Sequence, residues 1–257
     1  MDYALIPLPA FADNYIWLLT DTDGNAAVVD PGDAAPVQRA LDARDLKLRA
    51  VLATHHHPDH VGGAAELAAR HGCQVFGPAR EAGAVVTVPL EEGGEVEVPY
   101  LGARFRVLDI PGHTAGHIAF FGHGILFSGD TLFSAGCGRL FEGTAAQMSA
   151  SLAKLAALPE SVLVCCGHEY TVNNLRFAAA LEPDNHAIHG HAAHCLALRA
   201  QGLATLPSTI GLERRINPFL RCSEPAVRDA ASRHSGETLT DPIQIFAVIR
   251  QWKDGFG

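Results

Sequence analysis

No stretch of 18 apolar residues occurs in this sequence of 257 residues, so we expect no membrane-spanning helix and no membrane partner. Basic residues are also scarce, because 19 Lys and Arg stand against 28 Asp and Glu, a formal net charge of -9. Such a charge argues against a nucleic-acid partner, since the nucleic-acid backbone is itself anionic. The N-terminus lacks the basic start and the uninterrupted apolar core of a secretory signal, which favours a cytoplasmic protein.

Cysteine is neither dense nor paired, because the six cysteines form no CxxC motif. We therefore expect reduced thiols and no disulfide framework. Apolar residues, in contrast, make up 48% of the chain, enough for one large domain or for a main domain with a smaller one appended. Since no long exposed apolar stretch is evident, we expect a monomer.

Short apolar runs closed by Gly, Pro, Asp or Asn predict strands in the first 170 residues, with single amphipathic helices between them. The predicted strands are 15–19, 26–29, 49–53, 95–100, 104–110, 117–121, 125–127 and 162–166. The predicted helices are 36–43, 63–70, 145–157, 173–181, 187–200, 226–234 and 242–253. Residues 78–94 are expected to be a surface loop. The pattern indicates a mixed α/β (α+β) region 1–170 followed by a helical region 171–257.

Histidine is the unusual residue, with 14 in the chain, and its densest cluster is Thr54-His55-His56-His57-Pro58-Asp59-His60. The cluster follows a predicted strand, so its side chains converge only if the backbone turns sharply, as Pro58 favours. Neutral imidazole and carboxylate are ligands for zinc or iron. A solvated histidine-rich loop is the alternative explanation.

Further candidate ligands follow other predicted strands in the same way. They are Asp30, His113, Asp130 and His168. Side chains at one end of neighbouring strands share the rim of a cleft, where sites in sheet enzymes lie. The candidates divide into two sets of three, with Asp130 able to offer an oxygen to both, and this inventory predicts a binuclear metal centre. The first set is His55, His57 and His113, and the second set is Asp59, His60 and His168. Two metals hold and activate a hydroxide, so hydrolysis needs no protein nucleophile.

The motifs THHHPDH, DPG at 30–32, GHTAGH at 112–117, GD at 129–130 and GHEY at 167–170 resemble the metallo-β-lactamase superfamily. FSAGCGRLFEGT at 133–144, GHEYTVNNLRFA at 167–178, NPFLR at 217–221 and IRQWKD at 249–254 closely resemble the glyoxalase II (hydroxyacylglutathione hydrolase) family. The similarity runs over nearly the whole chain. It implies a four-layer αββα metallo-β-lactamase sandwich with a C-terminal helical domain.

The resemblance also implies a function, namely hydrolysis of S-D-lactoylglutathione and related S-2-hydroxyacylglutathiones to D-lactate and glutathione, the second step of methylglyoxal detoxification. It implies two divalent metal ions per chain, with zinc first and iron or manganese as alternatives. The metal ligands carried over are His55, His57, Asp59, His60, His113, Asp130 and His168. The catalytic residues are Asp59 and Asp130, which orient the hydroxide. The glutathione contacts carried over are Arg139, Phe141, Tyr170, Arg250 and Lys253.

Two features of the chain bear on those contacts. Arg250 and Lys253 are three residues apart on a predicted helix, hence on one face, and a pair of cations suits a carboxylate. From Pro183 onward 8 basic residues stand against 7 acidic ones, so anion recognition is expected in this part of the chain. Phe141 stands where some family members have tyrosine, so a hydroxyl contact is not assumed. Thr54, His56 and Asp30 are expected to orient the ligands.

Four other functions are alternatives to this one. An iron-dependent persulfide dioxygenase needs one metal, and the complete second set of ligands argues against it. A metallo-β-lactamase proper is secreted, and the absence of a secretory signal argues against it. A phosphodiesterase or nuclease requires a basic channel, and the acidic net charge argues against it. A noncatalytic metal-binding or electron-transfer module is the alternative outside the enzymes, and the presence of all seven ligands argues against it.

Overall fold

The computed structural model describes residues 3–256. The described chain divides into two compact units. The first contains the chain up to Asp109 together with Gly116–Gly129 and Cys165–His168, and the second contains Ile110–Ala115, Asp130–Val164 and the chain from Glu169 onward. The division of the chain at residue 170, into an α/β region and a helical region, stays a prediction.

The first unit contains a six-stranded sheet in the order β1 to β6. Its strands are β1 (Ala4–Ala10), β2 (Asn14–Thr20), β3 (Asn25–Val29), β4 (Lys47–Leu52), β5 (Gln74–Pro78) and β6 (Val88–Leu90). Strands β1 to β3 pair antiparallel, and β3 to β6 pair parallel. The parallel strands end at one edge of the sheet, so the segments after β3 and β4 lie close together: the Asp30 N–H donates to the Leu52 carbonyl at 2.9 Å.

The two edges of this sheet differ from the sequence prediction. Strand β1 contains Pro7 and Pro9, which cannot donate to a ladder, and the strand pairs on one side only, with β2. Proline is tolerated in such an edge strand. Strand β6 lies inside the region 78–94, which was wrongly expected to be only a surface loop. Its three residues include Pro89 and pair only with β5, too short a run to show a period of two.

A second sheet of this unit contains β7 (Glu95–Glu97), β8 (Arg104–Asp109), β9 (Ile118–Gly122) and β10 (Ile125–Gly129) in that order, all antiparallel. Cys165 and Cys166, from the end of β13 (Leu163–Cys166), continue it beside β10. Both thiols are buried, as free cysteine commonly is. Trp17 of the first sheet donates from Nε1 to the Cys166 carbonyl at 2.9 Å, so the two sheets of this unit pack face to face.

Helices cover the other face of the first sheet. They are α1 (Ala34–Arg44), α2 (Pro58–Val61) and α3 (Ala64–His71). Asp33 caps α1, because its side chain accepts from the Ala35 N–H at 2.8 Å, a bond that satisfies one of the free donors of the first turn. The core between helices and sheet includes Val28, Val51 and Leu67. Every residue of β2 and β3 is buried, because the sheet is covered on both faces.

The second unit is mainly helical. Its elements are β11 (Leu132–Phe133), β12 (Gly136–Cys137), α4 (Ala145–Ala156), α5 (Thr171–Leu181), α6 (His186–Ala200), β14 (Ser208–Thr209), α7 (Ile210–Ile216), α8 (Pro225–Ser235) and α9 (Pro242–Asp254). Strand β14 pairs with Leu163 and Val164 of β13. Helix α7 was not predicted, because seven residues are too few to show helical spacing. A core that includes Leu175, Ile188 and Ile216 joins α5, α6 and α7.

Across residues 3–256, no helix combines the length and apolar character that crossing a membrane requires.

Candidate metal centre

The histidine-rich segment leaves the sheet at the end of β4 and turns at Pro58. Residues 53–57 have neither helical nor strand geometry. His57 precedes α2, whose first residue is Pro58, a position where proline costs no hydrogen bond and already has helical φ. The sharp turn expected at Pro58 is therefore confirmed. The turn places Asp59 and His60 on one short helix.

Three candidate ligands of the first unit converge. Asp59, His60 and His168 offer donor atoms that all lie within 4.8 Å of one another. The Nε2 atoms of His60 and His168 are 3.3 Å apart, and Asp59 Oδ2 lies 3.5 Å from each of them. The two histidines are 108 residues apart in the sequence. They come together because β13 ends beside β10, and the end of β13 leads to His168 at this edge of the sheets.

The opposite nitrogen of each ring contacts a carboxylate. His60 Nδ1 lies 3.1 Å from Asp30 Oδ2, and His168 Nδ1 lies 2.8 Å from Asp13 Oδ1. A carboxylate accepts, so we assign the proton of each neutral ring to Nδ1, which leaves a lone pair on Nε2. Two lone pairs and a carboxylate oxygen then face one another. This arrangement is repulsive by itself and suits a divalent cation, so the residues fit a metal ion.

Asp30 links these histidines to the segment before them. It lies buried after β3 with φ of 54°, a backbone conformation that is uncommon for a residue other than glycine. Its Oδ1 accepts from the Thr54 N–H at 2.7 Å, and its Oδ2 accepts from the Thr54 hydroxyl at 2.7 Å. Thr54 Oγ1 is in turn 3.0 Å from His55 Nδ1. One carboxylate therefore bonds directly to His60 and contacts His55 through a hydroxyl.

His55 and His57 form the other pair of the first unit. His55 Nε2 lies 3.1 Å from His57 Nδ1. The His117 ring stacks on the His55 ring at a centroid distance of 4.5 Å and an angle of 15°, so His117 borders the centre. Gly129 allows this packing, because a Cβ there would lie 2.3 Å from Thr54 Oγ1 and its φ is 48°.

The second unit holds His113 and Asp130. His113 Nε2 lies 3.6 Å from Asp130 Oδ2. His113 Nδ1 lies 2.9 Å from the carbonyl oxygen of Arg139, which again assigns the proton to Nδ1 and the lone pair to Nε2. His113 follows Gly112, and His168 follows Gly167. Of these two glycines, only Gly112 has positive φ, at 153°. A backbone conformation that favours glycine therefore precedes His113 and not His168.

The three cations that are expected to contact glutathione all lie in the second unit. They are Arg139, Arg250 and Lys253. Arg139 Nε and Arg250 Nη2 both contact Asp254 Oδ1, at 3.5 and 3.1 Å. Burial, followed by the charges of Arg250, Arg176 and Arg139, lowers the pKa of Lys253 to about 8. Such a concentration of positive charge beside one carboxylate attracts an anion.

The two cations of α9 differ from each other. Arg250 is only 5% exposed, and its Nη1 donates to the Cys137 carbonyl at 2.6 Å. Its Nε has no hydrogen-bond partner among residues 3–256. Lys253 is half-buried and contacts the Asn173 carbonyl at 3.5 Å. Arg250 therefore supports the backbone at Cys137, and Lys253 is the more accessible of the pair.

The two aromatic contacts are placed differently. The Phe141 ring is exposed and meets the His113 ring edge to face, with centroids 5.2 Å apart. The Tyr170 ring packs against Phe133 at 5.2 Å.

Burial raises the pKa of Cys137 to about 11, so this thiol is not a nucleophile at neutral pH.

Three polar residues of the site were not identified from the sequence. Asp13 contacts His168 across 155 residues, and Asn14 Nδ2 donates to Asp59 Oδ2 at 3.0 Å across 45 residues. Glu81 contacts His56 and lies in the region that was expected to be a surface loop. The only sequence signal was the polar pair at the start of β2, since Asp13 and Asn14 interrupt an otherwise apolar stretch.

Comparison with known proteins agrees with the motifs. A family model of the metallo-beta-lactamase superfamily matches residues 11–168, and a model of the hydroxyacylglutathione hydrolase C-terminus matches residues 169–256. A hydroxyacylglutathione hydrolase of Alkalilimnicola ehrlichii is 57% identical over 251 residues, which cover 97% of this chain and 98% of the relative.

Two solved structures have the same fold. ETHE1 from Myxococcus xanthus is 26% identical with a TM-score of 0.66, and the match covers 98% of both chains. TTHA1623 in a di-iron-bound form is 28% identical with a TM-score of 0.59, and the match covers 84% of this chain and 100% of that one. The expected metallo-β-lactamase fold with a C-terminal helical region is confirmed, and this fold with its His and Asp clusters indicates binding of divalent metal. The chain belongs to the hydroxyacylglutathione hydrolase family of the metallo-β-lactamase superfamily.

Proposed function

We propose that this protein hydrolyses the thioester S-D-lactoylglutathione, and related S-2-hydroxyacylglutathiones, to the hydroxy acid and glutathione. The observation that carries the proposal is the facing pair of Nε2 atoms of His60 and His168 beside Asp59 Oδ2. Nearly full-length relatives named hydroxyacylglutathione hydrolase supply the substrate class. In the cell the reaction removes the thioester formed from methylglyoxal.

The proposed cofactor is a pair of divalent metal ions, with zinc first and iron or manganese as alternatives. Its proposed ligands are His55, His57, Asp59, His60, His113, Asp130 and His168. When bound, the ions supply a hydroxide at neutral pH and polarise the thioester carbonyl.

The chain's own contribution begins with the placement of protons. His60 and His168 keep their protons on Nδ1 because Asp30 and Asp13 accept them, so each Nε2 is available without deprotonation. Asp59 and Asp130 are proposed to orient the attacking oxygen. Asn14 holds Asp59 from the other side, which limits the rotation of its carboxylate.

The leaving group explains why a thioester suits this site. A thiol has a pKa of about 8.5, so the thiolate leaves without protonation by the protein. The site needs no general acid for that step. It also needs no cysteine nucleophile, in agreement with the raised pKa of Cys137.

We assign recognition of the glutathione half to Arg139, Phe141, Tyr170, Arg250 and Lys253. The cations match the carboxylates of the tripeptide. Phe141 offers ring contact alone, so the substrate is held more weakly than by tyrosine. Residues 1–170 are proposed to perform catalysis and residues 171–257 to bind substrate, in a cytoplasmic monomer that binds neither nucleic acid nor membrane.

The test is thiol release from S-D-lactoylglutathione by purified protein of measured metal content. A coenzyme A thioester is the comparison substrate, and Asp130→Ala is the control variant. Release that is selective for the glutathione thioester and is abolished in Asp130→Ala supports the proposal.

Absence of release from a protein that holds its metal would reject the substrate while leaving the metal centre intact. Oxygen uptake with glutathione persulfide would then distinguish the dioxygenase alternative.

A further inference from the structure

Glu81 is a buried carboxylate that contacts the histidine-rich segment. It ends a 3-10 helix, Ala79–Glu81, that follows β5, and its side chain is only 6% exposed. Its Oε2 accepts from the His56 N–H at 3.1 Å and lies 2.9 Å from His56 Nδ1. Its Oε1 accepts from the Gly116 N–H. Both oxygens are therefore bonded to loops of the first unit.

The bond to His56 holds the backbone of the segment that carries the histidines. Residues 53–57 are neither strand nor helix, and carboxylates accept from two of their N–H groups. Asp30 accepts from Thr54, and Glu81 accepts from His56. His56 stands between His55 and His57, so a shift of its peptide group moves both neighbouring side chains.

The bond to Gly116 anchors the same carboxylate on the opposite side. A Cβ on Gly116 would lie 2.8 Å from Glu81 Cγ and 2.8 Å from Arg80 Cβ, so only glycine permits this approach. The next residue is His117, whose ring stacks on His55. Glu81 thus fixes His55 from two directions, through the His56 backbone and through the residue before His117.

We propose that Glu81 is a positioning residue that holds His55 and His57 in the geometry required for metal binding. The inference rests on the proposed metal centre. Glu81 contributes no ligand atom itself, because its oxygens are occupied by backbone donors. Groups that orient metal ligands in this way contribute about 10-fold to 100-fold to metal affinity.

Glu81→Gln is the sharpest perturbation, because each carboxylate oxygen faces an N–H donor. Whichever of the two oxygens the amide nitrogen replaces, it then faces a backbone N–H donor, that of His56 or that of Gly116. Opposing His56 is less costly than opposing Gly116, since the amide N–H is then near His56 Nδ1 and can donate to it. The variant therefore loses the bond to the His56 backbone and releases the ligand segment.

Asp21→Asn is the matched control. Asp21 also holds a turn by accepting from two backbone N–H groups, those of Asp23 and Asn25, at 2.9 and 2.8 Å. It follows β2, whose other end carries the site. The substitution makes the same chemical change to a carboxylate that holds backbone, but away from the ligands.

The experiment measures metal retained by wild type and both variants against increasing chelator, together with urea unfolding of the metal-free proteins. We expect Glu81→Gln to release metal at a chelator concentration at least about 10-fold lower than wild type. We expect Asp21→Asn to match wild type in metal retention. The KM of Glu81→Gln for the thioester should stay within about twofold of wild type while kcat falls, because the substrate contacts are elsewhere in the chain.

Equal metal retention by Glu81→Gln and Asp21→Asn would overturn the inference. Should Glu81→Gln fail to fold, Gly116→Ala, which keeps the carboxylate and displaces it, must lower metal retention in the same direction, and unchanged retention would overturn the inference as well. A wild-type protein that binds metal but does not release thiol would reject the proposed function and leave this inference standing.

Discussion

Asp30→Asn tests the proposed control of proton positions most sharply. Three donors approach the two oxygens of Asp30: the Thr54 N–H, the Thr54 hydroxyl and His60 Nδ1. An amide nitrogen in the place of Oδ1 would oppose the Thr54 N–H, which cannot turn away. An amide nitrogen in the place of Oδ2 meets a hydroxyl that can rotate and a ring that can change tautomer.

The second orientation costs less, and it has a defined consequence. His60 then accepts at Nδ1 and carries its proton on Nε2, where it donates to His168 Nε2 at 3.3 Å. The rotated Thr54 hydroxyl donates to His55 Nδ1, so His55 also moves its proton to Nε2. The Nε2 atoms of His55 and His60, whose lone pairs face the proposed metal in the wild type, therefore both become protonated.

The magnitudes separate metal binding from folding. Exchanging charged hydrogen bonds for neutral ones should lower the free energy of unfolding of the metal-free protein by about 1 to 3 kcal/mol. Metal affinity should fall by about 10-fold to 100-fold or more. Long-range ¹H–¹⁵N spectra of the metal-free protein read the tautomers directly, and chelator competition reads the affinity.

Unchanged tautomers of His55 and His60, or metal content and rate equal to wild type, would refute the reasoning. Asp21→Asn serves again as the control, because it changes the same functional group at the far end of β2.

Three further predictions concern single residues. Asp13→Ala should weaken metal binding about 10-fold to 100-fold, because it removes the acceptor that fixes the His168 proton; chelator competition measures this, and retention equal to wild type contradicts it. Lys253, with a pKa of about 8, is charged below that pH and neutral above it, so KM should rise between about pH 7 and pH 9. Lys253→Arg should flatten that profile, and an equally steep rise in the variant would refute the assignment. Iodoacetamide at about pH 8 should label Cys73, which is partly exposed, before Cys137, whose pKa of about 11 keeps it a thiol; mass spectrometry that finds Cys137 labelled first would contradict its burial.

The sequence predicted the features that repeat locally. The strands predicted before Asp30, His55 and Asp130 are short apolar runs ended by a polar residue, and β3, β4 and β10 lie there. The turn at Pro58 follows from backbone chemistry alone. The candidate ligands are evident because imidazole and carboxylate are groups that bind metal.

Features that depend on distant pairing were not predicted. Asp13 and Glu81 are ordinary acidic residues in the sequence, and their roles exist only because β2 and β5 bring them to the ligands. Strand β1 was missed because proline is unfavourable in strands in general, although an edge position tolerates it. Helical spacing placed Arg250 and Lys253 on one face, but it could not predict that Arg250 is buried and bonded to the Cys137 carbonyl, 113 residues away.

The most direct test of the central claim is a metal titration of the metal-free protein, followed by the rate of thiol release from S-D-lactoylglutathione. The account predicts no release without metal and a rate that rises to a plateau at about two ions per chain. Full activity in metal-free protein, or a plateau reached at one ion, would contradict the proposed binuclear centre.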